Sequence, residues 1–226
     1  MPVSIDELCE QLDIREIPPL EAEAAKISHP HYGDAFDGFA LPTHRVITPI
    51  ISQRLSGAES VLEIGFGTGF RLLYYALNNP LTKFTAIDND PVVFSILERR
   101  IRKLGVSNVR LLHTDLFDLT SRNGRYACVI AIDCLPTEVP EHLRKHFRDY
   151  TSMAFTSHLL FGQLVDTTQK PSFFASVSYG NWTEDHQVTY LDLGRKIGLN
   201  ELETIPFDYK RKGQAEEHGT VILASK

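Results

Sequence analysis

Three glycines at spacing two, Gly65, Gly67 and Gly69, stand in the stretch VLEIGFGTG over residues 61–69, with Glu63 two positions ahead of the first. Glycine tolerates the turn conformations that other residues avoid, and it lets a ligand approach the main chain closely. The sequence FRLLYYAL that follows has helical character, and amides at a helix N-terminus favour a polar or anionic ligand group. Asp88, Asp115 and Asp133 each close an apolar run further along. Acids and a glycine turn in this arrangement suggest a nucleotide-type cofactor. The dinucleotide fingerprint G-x-G-x-x-G would require glycine at position 70, where Phe70 stands.

These residues need a scaffold that brings strand ends together. Val61, Leu62 and Ile64 form an apolar run broken only by Glu63, as expected of a buried parallel strand. A helix should follow from about Phe70 to Leu77, then a strand from Phe84 to Ile87 that stops at Asp88. Asp90 is a suitable N-cap with Pro91 at the first helical position, and Gly105 ends that helix. Strands are expected at Val109–His113 and Tyr126–Ile132, a helix from Pro140, and a fifth strand at Ser152–Phe161. Beyond this, Phe173–Gly180 alternates like a strand and EDHQVTYLDLGRKIG reads as a helix ending at Gly198. ELETIPFDY and GTVILAS form a terminal hairpin joined by KRKGQAEEH.

Alternating strands and helices at this spacing demand right-handed parallel crossovers. The predicted class is α/β, a doubly wound, mostly parallel sheet with a terminal antiparallel hairpin. Ligands of such sheets bind outside the carboxyl ends of the strands, where Glu63, Asp88, Asp115 and Asp133 all fall. Ahead of the sheet, Ser4 and Glu7 have capping-box spacing for a helix to Leu12, and residues 20–27 form a second candidate. Residues 28–42 read as a loop. After Pro42, Thr43 would cap a helix presenting Val46, Ile47, Ile50, Ile51 and Leu55. The division expected is a helical extension with a substrate-side loop over residues 1–42 and a catalytic domain over 43–226.

Composition narrows the partners. A net charge of −6 argues against a broad electrostatic footprint on nucleic acid. Three cysteines without a C-x-x-C pair point to neither a disulfide framework nor structural zinc, and a cytoplasmic location is expected. The N-terminal stretch lacks the basic start and apolar core of a signal peptide, and no apolar run approaches membrane-spanning length. Glu138, His142 and His146 cluster on a helix candidate, but they read as a solvated face, so no metal is predicted. The basic run Arg99, Arg100, Arg102 and Lys103 reads as a solvated helix surface too.

Glu63 with G-x-G-x-G, followed by acids at the next strand ends, resembles class I S-adenosylmethionine (SAM) dependent methyltransferases over residues 43–226. The resemblance implies a Rossmann-like methyltransferase fold with a seven-stranded sheet, and SAM as cofactor. Gly65, Phe66, Gly67 and Gly69 would line its methionyl part, with Glu63 organising the turn. Asp88, with Asn89 beside it, would take the ribose hydroxyls. Asp115 would accept from the adenine amine with Leu116 flanking the ring, and Asp133 would lie nearest the transferred methyl group. Within that family the chain is similar to protein L-isoaspartyl O-methyltransferases in its fourth strand and following loop, YACVIAIDCLPTEVPEHLRKHF. Ala40 stands where they carry serine near Pro42, and RDYTS replaces their glycine pair before strand five.

The function expected is methyl transfer to an oxygen or nitrogen of a small-molecule or peptide acceptor. Asp133, His44 and Tyr32 are the candidate catalytic residues. His29, His31, Tyr32, Phe36, Phe39 and His44 would offer the acceptor stacking faces and hydrogen-bonding heads. Two other readings stay open, a SAM-binding protein without transferase chemistry and a nicotinamide-dependent oxidoreductase.

Overall fold

The computed structural model describes residues 2–18, 21, 33–114, 125–132, 172–179, 191, 195, 198–211 and 215–226. Among these residues seven strands form one sheet, in the order β3-β2-β1-β4-β5-β7-β6. They are β1 Ser60–Ile64, β2 Lys83–Asp88, β3 Val109–His113, β4 Cys128–Ala131, β5 Phe173–Tyr179, β6 Glu201–Lys210 and β7 Glu216–Ser225. The first five are mutually parallel, and β7 runs antiparallel between β5 and β6. This is the Rossmann-like sheet with a terminal hairpin that the residue pattern predicts. One assignment changes: the place beside β4 belongs to Phe173–Tyr179, whose run of small and apolar residues registers Phe174 against Val129. The fifth strand expected at 152–161 and the helix from Pro140 lie outside the described residues.

Strand order reverses between β1 and β4, so their carboxyl ends open the crevice where such sheets bind ligands. Alternation along β1 sends Leu62 and Ile64 to one face, with Ile87, Val129, Phe174 and Ile222. Val61 faces the other way, against a larger cluster fed by four helices. These are α1 Ile5–Leu12, α2 Gly33–Arg54, α3 Phe70–Asn78 and α4 Pro91–Leu104. Glu63 shares the parity of Val61 and therefore points toward the helical face.

Local chemistry accounts for the helix ends. At α1 the capping box is formed, with the Glu7 amide donating to Ser4 Oγ at 3.1 Å and the Ser4 amide donating to Glu7 Oε2 at 2.7 Å. Asp90 caps α4 by accepting from the Val92 amide at 2.8 Å, Pro91 opens the helix, and Gly105 closes it at φ +66°. Gly198 takes φ +82°, after helical backbone at Leu191 and Arg195.

The helix α2 corrects the sequence reading. It starts at Gly33, not after Pro42, and carries both Pro42 and Pro49 inside it. A proline deprives the carbonyl four residues earlier of its helical donor, which for Pro42 is that of Gly38. Here the Ile17 amide donates to the Gly38 carbonyl at 3.2 Å. The segment Ile14–Ile17 reaches it because Gly38 has no side chain; a Cβ there would stand 2.3 Å from the Arg15 carbonyl oxygen. The N-terminal extension thus supplies the bond that Pro42 removes, and the division expected at residue 42 falls inside a continuous helix. The helix candidate 20–27 lies outside the described residues apart from Glu21.

Candidate active site

Strand β1 delivers the chain into the glycine turn. Gly65, Gly67 and Gly69 all adopt positive φ, at +64°, +55° and +78°. Two of them are needed for different reasons. A Cβ on Gly69 would lie 2.4 Å from Leu97 Cδ1, so α4 packs directly against the turn. A Cβ on Gly67 would meet nothing within 4 Å among the described residues, so its backbone faces away from the packed turn. Gly69 is the N-cap of α3 and, as a glycine, brings no side chain to the first amides of that helix.

Asp88, at the end of β2, holds this turn. Its Oδ2 accepts from the Gly67 amide at 3.1 Å and its Oδ1 from the Asp90 amide at 3.0 Å. Burial pushes the Asp88 carboxyl above the usual carboxylate range, against the pull of the Asp90 and Gly67 amides. Asn89, next in the chain, presents its carbonyl to His113 Nε2 at 3.1 Å. Phe94 lies between two rings, 6.2 Å from Phe66 and 5.5 Å from His113. These rings form a wall from the turn to the end of β3. His113 and Phe94 have no role in the sequence reading, because His113 merely closes a strand and Phe94 merely continues a helix.

Glu63 is only 2% exposed, and its Oε2 has no hydrogen-bond partner among the described residues. Burial pushes its carboxyl up to about 7, with nearby Arg71 pulling the other way. Arg71, also buried, donates to the carbonyl of Ile132, just past β4, at 3.3 Å. It thereby ties the first turn of α3 to the strand across the switch point. Sequence reasoning misses Arg71, though an arginine inside the apolar run FRLLYYAL is a visible signal of a buried partner.

Behind the turn lies a second polar group. Asp37 and His44 of α2, Thr68 of the turn and Arg100 of α4 are 1%, 2%, 4% and 3% exposed. Thr68 Oγ1 donates to Asp37 Oδ1. Arg100 Nη1 donates to Asp37 Oδ2 at 2.7 Å and to the Thr68 carbonyl at 3.0 Å. His44 Nε2 stands 3.7 Å from Asp37 Oδ1, and its ring stacks on Phe70 at 4.9 Å. Burial alone would raise the Asp37 carboxyl, but His44, Arg100 and Thr68 together hold it below the usual range. His44 is therefore an interior residue and does not stand on an open acceptor face, because α2 begins ten residues earlier than expected and turns it into the core. Arg100 is likewise interior, not part of a solvated surface.

The sequence-derived cofactor residues Glu63, Gly65, Phe66, Gly67, Gly69, Asp88 and Asn89 converge at the carboxyl ends of β1 and β2. Tyr32, Asp115, Leu116 and Asp133 lie outside the described residues, as do Glu138, His142 and His146. Ala40 is buried within α2, where its carbonyl accepts from Thr43 Oγ1 at 2.7 Å. On the same side of the sheet, Arg211 at the tip of the β6–β7 hairpin packs 4.5 Å over the Phe39 ring of α2 and pairs with Glu217 at 2.7 Å.

The model of the methyltransferase domain family matches residues 61–153. A tRNA (guanine-N(7)-)-methyltransferase of Saccharophagus degradans is 33% identical over 123 residues, 53% of this chain and 44% of that protein. The family match over residues 61–153, the Saccharophagus relative and the shared fold together support a class I SAM-dependent methyltransferase. It spans less than half the length of the Saccharophagus relative. The precorrin-6y C5,15-methyltransferase of Geobacter metallireducens superposes with a TM-score of 0.54 at 14% identity, over 80% of this chain and 89% of that one. The N-terminal domain of EvdMO1, solved with S-adenosylhomocysteine (SAH) bound, superposes equally well over 79% of each chain at 14% identity. The cofactor of this methyltransferase family is SAM. Its requirements fit the residues present: among the described residues, a buried carboxylate oxygen of Glu63 without a partner, an open main-chain face at Gly67 and a carboxylate on Asp88.

Proposed function

We propose that this chain transfers a methyl group from SAM to an oxygen or nitrogen of a small-molecule or peptide acceptor. The observation that carries the reading is the Asp88–Gly67 hydrogen bond, which locks a glycine turn beside the switch point with the buried Glu63 beneath it. Glu63 would counter the methionyl ammonium, the turn would receive the methionyl chain, and Asp88 would take the ribose hydroxyls. When bound, SAM supplies both the electrophilic methyl carbon and the thioether leaving group. The chain's own residues then have to align the acceptor and exclude water, which is worth ~7–11 kcal/mol in well-oriented reactions. A carboxylate acceptor needs no base. A hydroxyl or ammonium acceptor does, and Asp133 or Tyr32 would serve, since His44 is enclosed behind the turn.

A second acceptor class has support from the Saccharophagus relative, whose name specifies a tRNA guanine. The net charge of −6 weighs against it. Calorimetric titration with SAM, SAH and NAD tests the cofactor reading, and NAD binding without SAM binding would reject it. Incubation with methyl-labelled SAM and separate pools of metabolites, peptides (isoaspartyl peptides among them) and tRNA tests the acceptor. Label in the metabolite or peptide pool supports the proposal, and label confined to tRNA transfers it to the second reading. SAM binding with no label in any pool favours a binding protein without transferase chemistry.

A further inference from the structure

We propose that Asp37 is a positioning residue for the cofactor turn, acting through Thr68 to hold the Gly67 amide where Asp88 can use it. The inference rests on the reading of that turn as the SAM site. The geometry is specific. Thr68 sits between Gly67 and Gly69, and its side chain points away from the ligand side to donate to Asp37. Arg100 grips Asp37 through one carboxylate oxygen and Thr68 through its main-chain carbonyl. Both the side chain and the backbone of Thr68 are thus fixed from α2 and α4. One residue earlier, the Gly67 amide is fixed from the other side by Asp88. The turn is clamped between an acid in front, which would meet the cofactor, and an acid behind, which never does.

Stability alone is a poor reason for this arrangement. A buried ion pair commonly adds no more than well-packed apolar residues of the same volume, because desolvation offsets the attraction. What the polar group does provide is direction: one rotamer of Thr68, and hence one orientation of the peptide planes on either side. With the hydroxyl lost, the glycines flanking position 68 regain their freedom, and Asp88 loses the fixed Gly67 donor while keeping that of Asp90. The same connection makes docking of α2 and cofactor binding thermodynamically linked, since both require the clamp closed.

The test uses the full chain and calorimetric SAM titration, with thermal unfolding and NMR of the Gly67 and Gly69 amides as independent readouts. Thr68→Val keeps the shape and removes the donor, and it should weaken SAM binding about tenfold in a folded protein. Thr68→Ser should restore affinity to within twofold of the parent. Asp37→Asn should weaken binding similarly, and the double variant should be no weaker than the weaker single one. The Gly67 amide resonance should move in both single variants. If Asp37→Asn does not fold, the Thr68 pair decides alone. A folded Thr68→Val chain with parental affinity, or single losses that multiply in the double variant, overturns the proposal. Failure of the parent chain to bind SAM would instead sink the cofactor reading.

Discussion

Asp88 carries two loads at once, and its substitution should reveal both. Asp88→Ala removes the carboxylate proposed for the ribose and the acceptor for the Gly67 and Asp90 amides. SAM affinity should fall by about 1–3 kcal/mol in calorimetry, and unfolding stability by about 1–2 kcal/mol in urea titration. Glu63 should show itself through pH. Its ordinary value of 4.5 applies in the unfolded chain, while the folded chain holds the proton up to about 7. Between those values the unfolded state releases a proton that the native state keeps, so stability falls as pH rises through this window. Glu63→Gln should remove that slope, worth on the order of 3 kcal/mol, in denaturation curves taken from pH 4 to 8. Glu63 and Asp88 were readable as strand-end acids because charge at the end of an apolar run is a local signal. The Asp37–Arg100 pair was not, since 63 residues separate its members. A hint existed all the same: position 100 continues the stripe of Val93, Ile96 and Leu97, the buried face of α4.

At the scale of elements, the glycine turn separates strain from crowding. Gly67→Ala should cost about 1–2 kcal/mol, the price of a left-handed residue in open space. Gly69→Ala adds a clash with Leu97 and should cost roughly 2–5 kcal/mol, measured by chemical denaturation of both variants side by side. Most elements follow from periodicity and caps: the capping box of α1, the Asp90–Pro91 start of α4, and the alternation that places β1 to β4. The beginning of α2 escaped for an identifiable reason. Pro42 and the glycines at 33 and 38 are loop signals when read locally, and they are overruled only because a distant amide, that of Ile17, serves the carbonyl of Gly38. Tertiary hydrogen bonding of that kind leaves no trace in a window of neighbouring residues.

For the molecule as a whole, the N-terminal helix belongs to the same core as the sheet. Leu8, Ile5 and Cys9 are buried with residues of α2 and α3. Polar ties reinforce them: the Val3 amide donates to Asn78 Oδ1 at 2.8 Å, and Asp13 pairs with Lys103 at 2.9 Å. Removing residues 1–14 should therefore lower stability by about 3–5 kcal/mol, with an earlier thermal midpoint and increased binding of a hydrophobic dye. An unchanged midpoint would show the helix to be an independent appendage. Strand order was only partly legible. Parallel crossovers for the first four strands follow from the alternation of elements, but which segment stands beside β4 depends on register with Val129 and with β7, and the apolar run 152–161 drew the assignment that 173–179 holds.

The position of β7 bears on how the protein is made. A ribosome releases β5 and β6 before the strand that joins them, so for a time each exposes an unpaired edge. At translation rates of about 5–20 residues per second, the interval between the emergence of β5 and that of β7 is roughly two to seven seconds. Throughout it, Phe174 and Val177 of β5 await the partners Ala224 and Val221. A nascent chain in that state offers neighbouring polysomes a ready template for strand addition.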